Sequence, residues 1–439
     1  MSLWAFRFLL WYICILMVQP QNRFPVFYSL HIADLSVIGA VGLHIFSAAS
    51  EKRQPIRFGP GTIVALLLMI ASYVSLQSGV YQTSNKWNDY IDMVMKNALV
   101  LILIEAMAFS VKRVWAVQAT MMVASLWWVK AGIRLSMVGA TYSGDRLMGP
   151  AVGLVENPNS FAYMMCLMIP LYLYFYQQTK HKLLRWGYLA LALLSVFIVF
   201  RTGSRTGILI LISIAIFLLP KYGSQYKLTV IIATAVIVFL LPMMGALNVA
   251  RYRTIAISIR SFLGMEVRRS KVVEDEQSIQ SALERSAKNA DTWKLIKDHP
   301  LFGVGIWANQ ALYAHQYPSA VGQVHCEILM AGRQMGFIGM SIYVALLGVL
   351  FWSGQRTQRK TKGWWPEVSD LGWTFKMQTV VFIVGGAFSP LPWNAPELIL
   401  VGCASGLRTH LKKLIGGDAA AAAAEGVGQA GGAVQEVAA

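Results

Sequence analysis

Apolar residues run in long unbroken stretches along most of the chain, and short polar or charged clusters separate them. Stretches of about 18 residues or more are long enough to cross a bilayer as helices. Spans fall at roughly 3–18, which is short, 27–48, 61–78, 90–110, 114–130, 160–177, 186–200, 206–220, 228–246, 333–352, 372–388 and 395–409. The stretches are continuous rather than alternating, which argues against a β-barrel. The expected fold class is an all-α polytopic membrane protein of about twelve transmembrane helices with one large, partly helical loop. Two regions break the pattern. About 247–324 is too polar to cross a membrane, and Gly416 to Ala439 is almost all Gly, Ala, Val, Glu and Gln. The domain division is therefore 1–413 as a transmembrane domain including the loop 247–324, and 414–439 as a low-complexity tail expected to be disordered.

Composition agrees. Of 439 residues, 56% are hydrophobic and 13% charged, too little polar surface for a soluble protein of this size. The formal net charge of +17 raises nucleic acid as a partner, but the cations form no single patch. Lys52, Arg53 and Arg57, then Lys112 and Arg113, Lys180, Lys182 and Arg185, Lys221 and Lys227, Arg356, Arg359, Lys360 and Lys362, and Arg408, Lys412 and Lys413 occupy alternate connections. The other connections hold fewer: Arg23, Lys86, Arg134, Arg146, Arg201 and Arg205. Such a bias puts the lysine-rich side and both termini in the cytoplasm and the large loop outside. The first apolar stretch lacks a small-residue cleavage site and reads as a retained helix. Cys14, Cys166, Cys326 and Cys403 form no CxxC pair, so neither a zinc site nor a disulfide framework is indicated. Neither an Asp-x-Asp metal motif nor a nucleotide-binding loop occurs, so neither metal nor cofactor is expected.

Three segments on the outer side carry candidate chemistry. Glu156-Asn157-Pro158-Asn159-Ser160 opens a helix, with Asn159 or Ser160 as its N-cap. Arg201-Thr202-Gly203-Ser204-Arg205-Thr206-Gly207 is a tight connection between two spans. Its arginines and helix N-terminus suit a pyrophosphate, or they snorkel to lipid headgroups. The loop contributes Arg285 on a helix over roughly 277–297, with Ile279, Leu283, Ala287 and Ala290 on its apolar face. His299-Pro300-Leu301-Phe302-Gly303-Val304-Gly305 then ends that helix, and His325 precedes the next span. His325 is a general base near neutral pH or an ordinary interfacial histidine. His299 reads as a turn-setting residue, and adjacency alone is a poor reason to couple Cys326 to His325. Arg251, Arg253, Arg260, Arg268, Arg269 and Lys271 form a basic stretch that lies on anionic lipid or binds phosphate.

Taken in order, these segments resemble the O-antigen ligase and Wzy polymerase superfamily. Asn157-Pro158-Asn159 resembles its acidic-Pro-Asn segment, and Gly203-Ser204-Arg205-Thr206-Gly207 its GSR-type hairpin. Arg285 stands at the family spacing before an HPLxGxG segment, and His325 before Gly336 and Gly339. The chain departs from the pattern at Cys326, where Asn or Ser is commoner, at Gln334, where Glu is usual, and at Asn289, where an aromatic is expected and Trp293 is displaced. The resemblance implies a membrane glycosyltransferase in the bacterial inner membrane, with its active site facing the periplasm. The donor is a glycan on undecaprenyl pyrophosphate, and the acceptor is a sugar hydroxyl on a second glycan or on lipid A-core. It implies metal-independent transfer with inversion. His325, Arg285 and Arg205 are the implied catalytic residues, and Arg201, Ser204, Asn159 and His299 the implied binding residues for pyrophosphate or acceptor. A Wzy-type polymerase is the leading expectation, with an O-antigen ligase as the alternative; a protein oligosaccharyltransferase or a lipid-linked glycan transporter ranks below both.

Overall fold

The computed structural model describes residues 2–22, 24–52, 54–80, 89–139, 141–142, 146–150, 155–222, 273–306, 308–388 and 392–425. The helices in chain order are α1 (Ser2–Val18), α2 (Pro25–Ser29), α3 (Ile32–Ser50), α4 (Pro60–Ser78), α5 (Asp89–Met107) and α6 (Val111–Met137). A small antiparallel hairpin follows, β1 (Thr141–Tyr142) and β2 (Arg146–Leu147), with Thr141 opposite Leu147. Then come α7 (Pro158–Gln178), α8 (Lys182–Arg201), α9 (Arg205–Tyr222), α10 (Val273–Asp298), α11 (Gln310–Tyr313), α12 (Glu327–Thr361), α13 (Pro366–Gly386) and α14 (Ala395–Glu425). Among the described residues four helices, α3, α4, α8 and α12, are long and apolar enough to cross a bilayer, and α1 and most of α9 are shorter apolar helices. The fold is an all-α membrane bundle. The span expected at 228–246 and the basic stretch 251–271 lie outside the described residues.

The bundle packs mainly through α12 against α13, α7 against α8, α1 against α3, and α5 against α14. Small residues permit the closest crossings, as is usual between membrane helices. A Cβ on Gly354 of α12 would lie 2.7 Å from the Gly372 carbonyl of α13, and one on Gly372 would meet the Gly354 carbonyl at the same distance. Helix α7 is buried almost all round from Ser160 to Tyr172, so it forms the centre of its half of the bundle.

Three boundaries differ from the expected ones. The span 27–48 is two helices, because His31 adopts a left-handed conformation (φ 47°) between α2 and α3. Helix α14 continues to Glu425, through the first residues of the tail read as unstructured; the alanine run at 419–424 has the highest helix propensity of any residue type. Helix α12 begins earlier than expected and is broken at Met335 (φ −136°) and Gly336 (φ 61°, ψ −154°). That break receives the His299–Gly305 segment. Phe337 N–H donates to Pro300 O (2.7 Å) and Val304 N–H to Arg333 O (2.9 Å), so the segment satisfies backbone groups that the break exposes. Only glycine fits at Gly336, whose Cβ would collide with the Pro300 carbonyl. Gly303 and Gly305, both at positive φ, serve this docking rather than a phosphate loop.

One end of the bundle gathers the starts of α5, α7, α9, α12 and α14 and the ends of α4, α6, α8 and α13. Ser204 bonds Asn159, Arg201 bonds Ser136, Ser75 bonds Gln334 O, and Asn97 bonds Trp393 O. This is where the candidate residues lie.

Candidate functional site

The first half of the site is the turn between α8 and α9. Thr202 ends α8, Gly203 turns the chain at φ 60°, and Ser204 starts α9, its Oγ accepting from Gly207 N–H (3.2 Å). The Ser204 hydroxyl in turn donates to Asn159 Oδ1 (3.0 Å) on α7. Asn157, not Asn159 or Ser160, is the N-cap of α7. Its Oδ1 accepts from Asn159 N–H (3.0 Å) and Ser160 N–H (2.9 Å), with Pro158 at the first helical position. Asn159 is thereby free to face the hairpin. Arg146 on β2 completes the cluster by donating to Asn159 Oδ1 (2.9 Å) and to Thr202 O (3.1 Å). Arg201 Nε donates to Ser136 Oγ on α6 (3.2 Å), and Arg205 sits half-buried on the first turn of α9. The two sequence-distant motifs, Asn-Pro-Asn and Gly-Ser-Arg, therefore meet.

The second half is built on α10 and the loop before α12. The expected apolar face of α10 is not the buried one. Leu283, Ala287 and Ala290 are exposed, whereas Arg285, Lys288, Asn289, Thr292, Leu295 and Ile296 turn inward. Their spacing makes one helical stripe. Its lower end packs on the molecule, with Ile296 against Gly332 and Leu295 in a small core with Val304, Tyr313, Tyr317 and Ala320. Its upper end is polar. Asn289 Oδ1 and Thr292 Oγ1 are buried without a hydrogen-bond partner.

The loop carrying His325 is fixed from several sides. Ser319 N–H donates to Asp291 (3.2 Å), Gly322 N–H to Gln310 (2.6 Å), and Tyr317 OH to Asp298. The buried Arg333 guanidinium donates to Ala320 O (3.0 Å) and Gly322 O (2.8 Å). His325 is half-buried, and burial first, then Arg285 and Lys288, lowers its pKa to about 4. The imidazole is thus neutral at neutral pH and able to accept a proton. Burial also pulls the Arg285 pKa down from its ordinary value, though a guanidinium stays cationic. The Lys288 ammonium lies near Gly322, so two cations flank the histidine. His299 ends α10 through its backbone, its N–H donating to Leu295 O (3.1 Å) and its carbonyl accepting from Gly303 N–H (3.1 Å).

Between the halves lies a buried polar layer. Gln334 donates to Tyr90 OH (2.8 Å) and accepts from Trp393 Nε1 (3.0 Å). The one amide thus satisfies a hydroxyl and an indole N–H from two other segments. Tyr343 OH donates to Glu327 Oε2. Gly385 and Gly386 let α13 pass against Tyr163 and against Glu327 and Tyr343 respectively. Tyr163 is one turn below Asn159 and Glu327 two residues past His325, so this layer joins the two halves.

All of the sequence-derived site residues lie at this end. Three were missed. Arg146 and Arg333 stand in no motif and gain their roles only through contacts. Lys288 follows Arg285 by three residues, a spacing that places both on one face. Among the described residues no three His, Cys, Asp or Glu side chains come together as a metal-binding group.

Fold and site together define a helical membrane protein with a cation-lined polar site at one end. Residues 189–344 match the family model described as O-antigen ligase. The matched stretch holds most of α8, all of α9 and α10, the loop with His325 and the first half of α12. No curated protein matches the chain.

Proposed function

We propose that the chain transfers a glycan from undecaprenyl pyrophosphate to a sugar hydroxyl, at a site on the periplasmic face of the inner membrane. The observation that carries this reading is the half-buried His325 on a loop that Lys288 meets at Gly322, with Arg285 on the same inward stripe of α10. In the transfer, the acceptor oxygen attacks the anomeric carbon with inversion, and the bond to the pyrophosphate oxygen breaks. The electron pair leaves with undecaprenyl pyrophosphate, and the acceptor proton goes to His325. Arg205 and Arg285 stabilise the charge that grows on the leaving group. That anion also raises the basicity of His325 when it is most needed, because it offsets the cations that depress it. Arg201, Ser204 and Asn159 hold the pyrophosphate end of the donor. The positive charge comes from side chains, so the proposed transfer is metal-independent. The lysine-rich connections at the opposite end support a cytoplasmic placement of both termini in a bundle of about twelve spans.

A Wzy-type polymerase is the first reading, the acceptor being a second lipid-linked glycan. An O-antigen ligase is the second, with lipid A-core as acceptor. Purified protein in liposomes with a labelled lipid-linked repeat unit tests both. A ladder of products without lipid A-core identifies a polymerase, and one shifted band that requires lipid A-core identifies a ligase. No transfer under either condition defeats the proposal.

A further inference from the structure

A groove of about 550 Å³ runs between α6 and α8 on the outside of the bundle. Its walls include Val129 and Ile133 of α6 and Leu191 and Leu194 of α8, and Lys130 and Arg134 stand on its α6 rim. An apolar groove facing lipid tails has no special affinity for one hydrocarbon over another. The two cations are the distinguishing feature. They lie one helical turn apart and both are exposed. Helix α6 contains no acidic residue, and the Lys130 ammonium rests over the Trp127 ring at 5.7 Å. This end of the bundle is also the one where topology does not call for positive charge.

The groove leads to the site. Arg201 lies seven residues beyond Leu194 on α8, about 10 Å further along the axis. It donates to Ser136, two residues beyond Arg134 on α6. Arg146 then bridges Thr202 and Asn159. Lys130, Arg134, Arg201 and Arg146 form a rising series of cations from a lipid-facing slot to the hairpin.

We infer that the α6–α8 groove seats the first isoprene units of a polyprenyl pyrophosphate, with Lys130 and Arg134 receiving its phosphates on the way to the hairpin. The donor then reaches the site sideways from the bilayer. The apolar chain fills the groove, and each phosphate moves from one cation to the next without crossing an uncompensated stretch. This rests on the donor proposed above.

The test uses the full chain in nanodiscs with a polyprenyl pyrophosphate bearing a photoreactive group on its first isoprene units, followed by peptide mapping. Labelling is expected on α6 and α8, competed by unlabelled polyprenyl pyrophosphate and not by phosphatidylglycerol. The double substitution K130Q/R134Q is expected to cut labelling and raise the donor KM roughly tenfold with kcat unchanged, the effect of losing two exposed charge contacts. Equal competition by phosphatidylglycerol makes the groove an ordinary lipid contact and overturns the inference. So does unchanged labelling in the double variant, or labelling elsewhere while transfer persists; the donor reading survives both. Absence of both labelling and transfer removes the donor reading itself.

Discussion

Glu105 and Glu397, both fully buried, lie at opposite ends of the bundle, and the fold treats them differently. Both oxygens of Glu105 are engaged, by Thr62 N–H (2.5 Å) and by Ser405 Oγ (2.6 Å). Helix α4 starts at Gly59, which has no capping side chain, so a carboxylate from α5 caps it and meets its positive dipole end. Glu397 opens α14, and neither of its oxygens has a hydrogen-bond partner. It shares the polar layer with Glu327 and Tyr163, whose hydroxyl is also buried without a partner. Buried polar groups are normally satisfied. A satisfied carboxylate such as Glu105 is explained by the helix it holds. An unsatisfied one, beside the site, has no such explanation in the fold. The difference separates the end that builds the bundle from the end that carries the site.

The largest expected effect tests the site end. His325→Ala should lower transfer by about 10²–10⁴-fold and leave the melting temperature unchanged, as read in the liposome assay and a thermal melt. A matching fall in melting temperature places His325 with the fold. The acid limb of kcat/KM should lie near pH 4, below the usual histidine range, because the free-enzyme imidazole titrates at about 4. The same shift fixes a sign for stability. The unfolded chain binds this proton at higher pH than the folded one, so the His325 contribution falls as pH drops from the ordinary histidine range towards 4. A limb centred at the ordinary value would mean that neither burial nor the two cations act on the base.

The next two effects concern the frame. Gly336→Ala should cost about 3 kcal/mol, because a side chain at its positive φ is strained and its Cβ meets the Pro300 carbonyl. The melt should drop, and the His325 loop should become more open to hydrogen exchange. Glu105→Ala should cost about 2 kcal/mol through the lost cap, with kcat per folded molecule unchanged. A Glu105 variant that melts normally but transfers poorly reverses the assignment of the two ends.

Much of the frame was legible in the apolar runs, because in lipid a spanning helix must satisfy its own backbone. The spans read at 3–18, 61–78 and 186–200 fall within a few residues of α1, α4 and α8. The tight turn between α8 and α9 was legible in the same way, from Gly203 and Ser204 between two apolar runs. Elsewhere the rules assume surroundings that only the tertiary structure supplies. The inward stripe of α10 was misread because amphipathicity assumes an apolar interior, and here Arg285 and Lys288 face a polar one. Asn157 rather than Asn159 caps α7, since Pro158 takes the first helical position. Arg146 and Arg333 are lone cations in sequence, and their partners lie on other elements.

The smallest effect is the most discriminating. Glu397→Gln keeps the shape of the side chain and removes a buried ionisable group with no hydrogen-bond partner. The amide keeps the packing and leaves the same two buried polar atoms without a partner, so the melting temperature should hold. Transfer per folded molecule should fall if the buried acid serves the site, because an amide cannot titrate in the layer beneath His325. The opposite pattern, a lower melt with unchanged kcat, would make Glu397 a frame residue like Glu105. The two ends of the bundle would then differ in their cations and not in their buried acids.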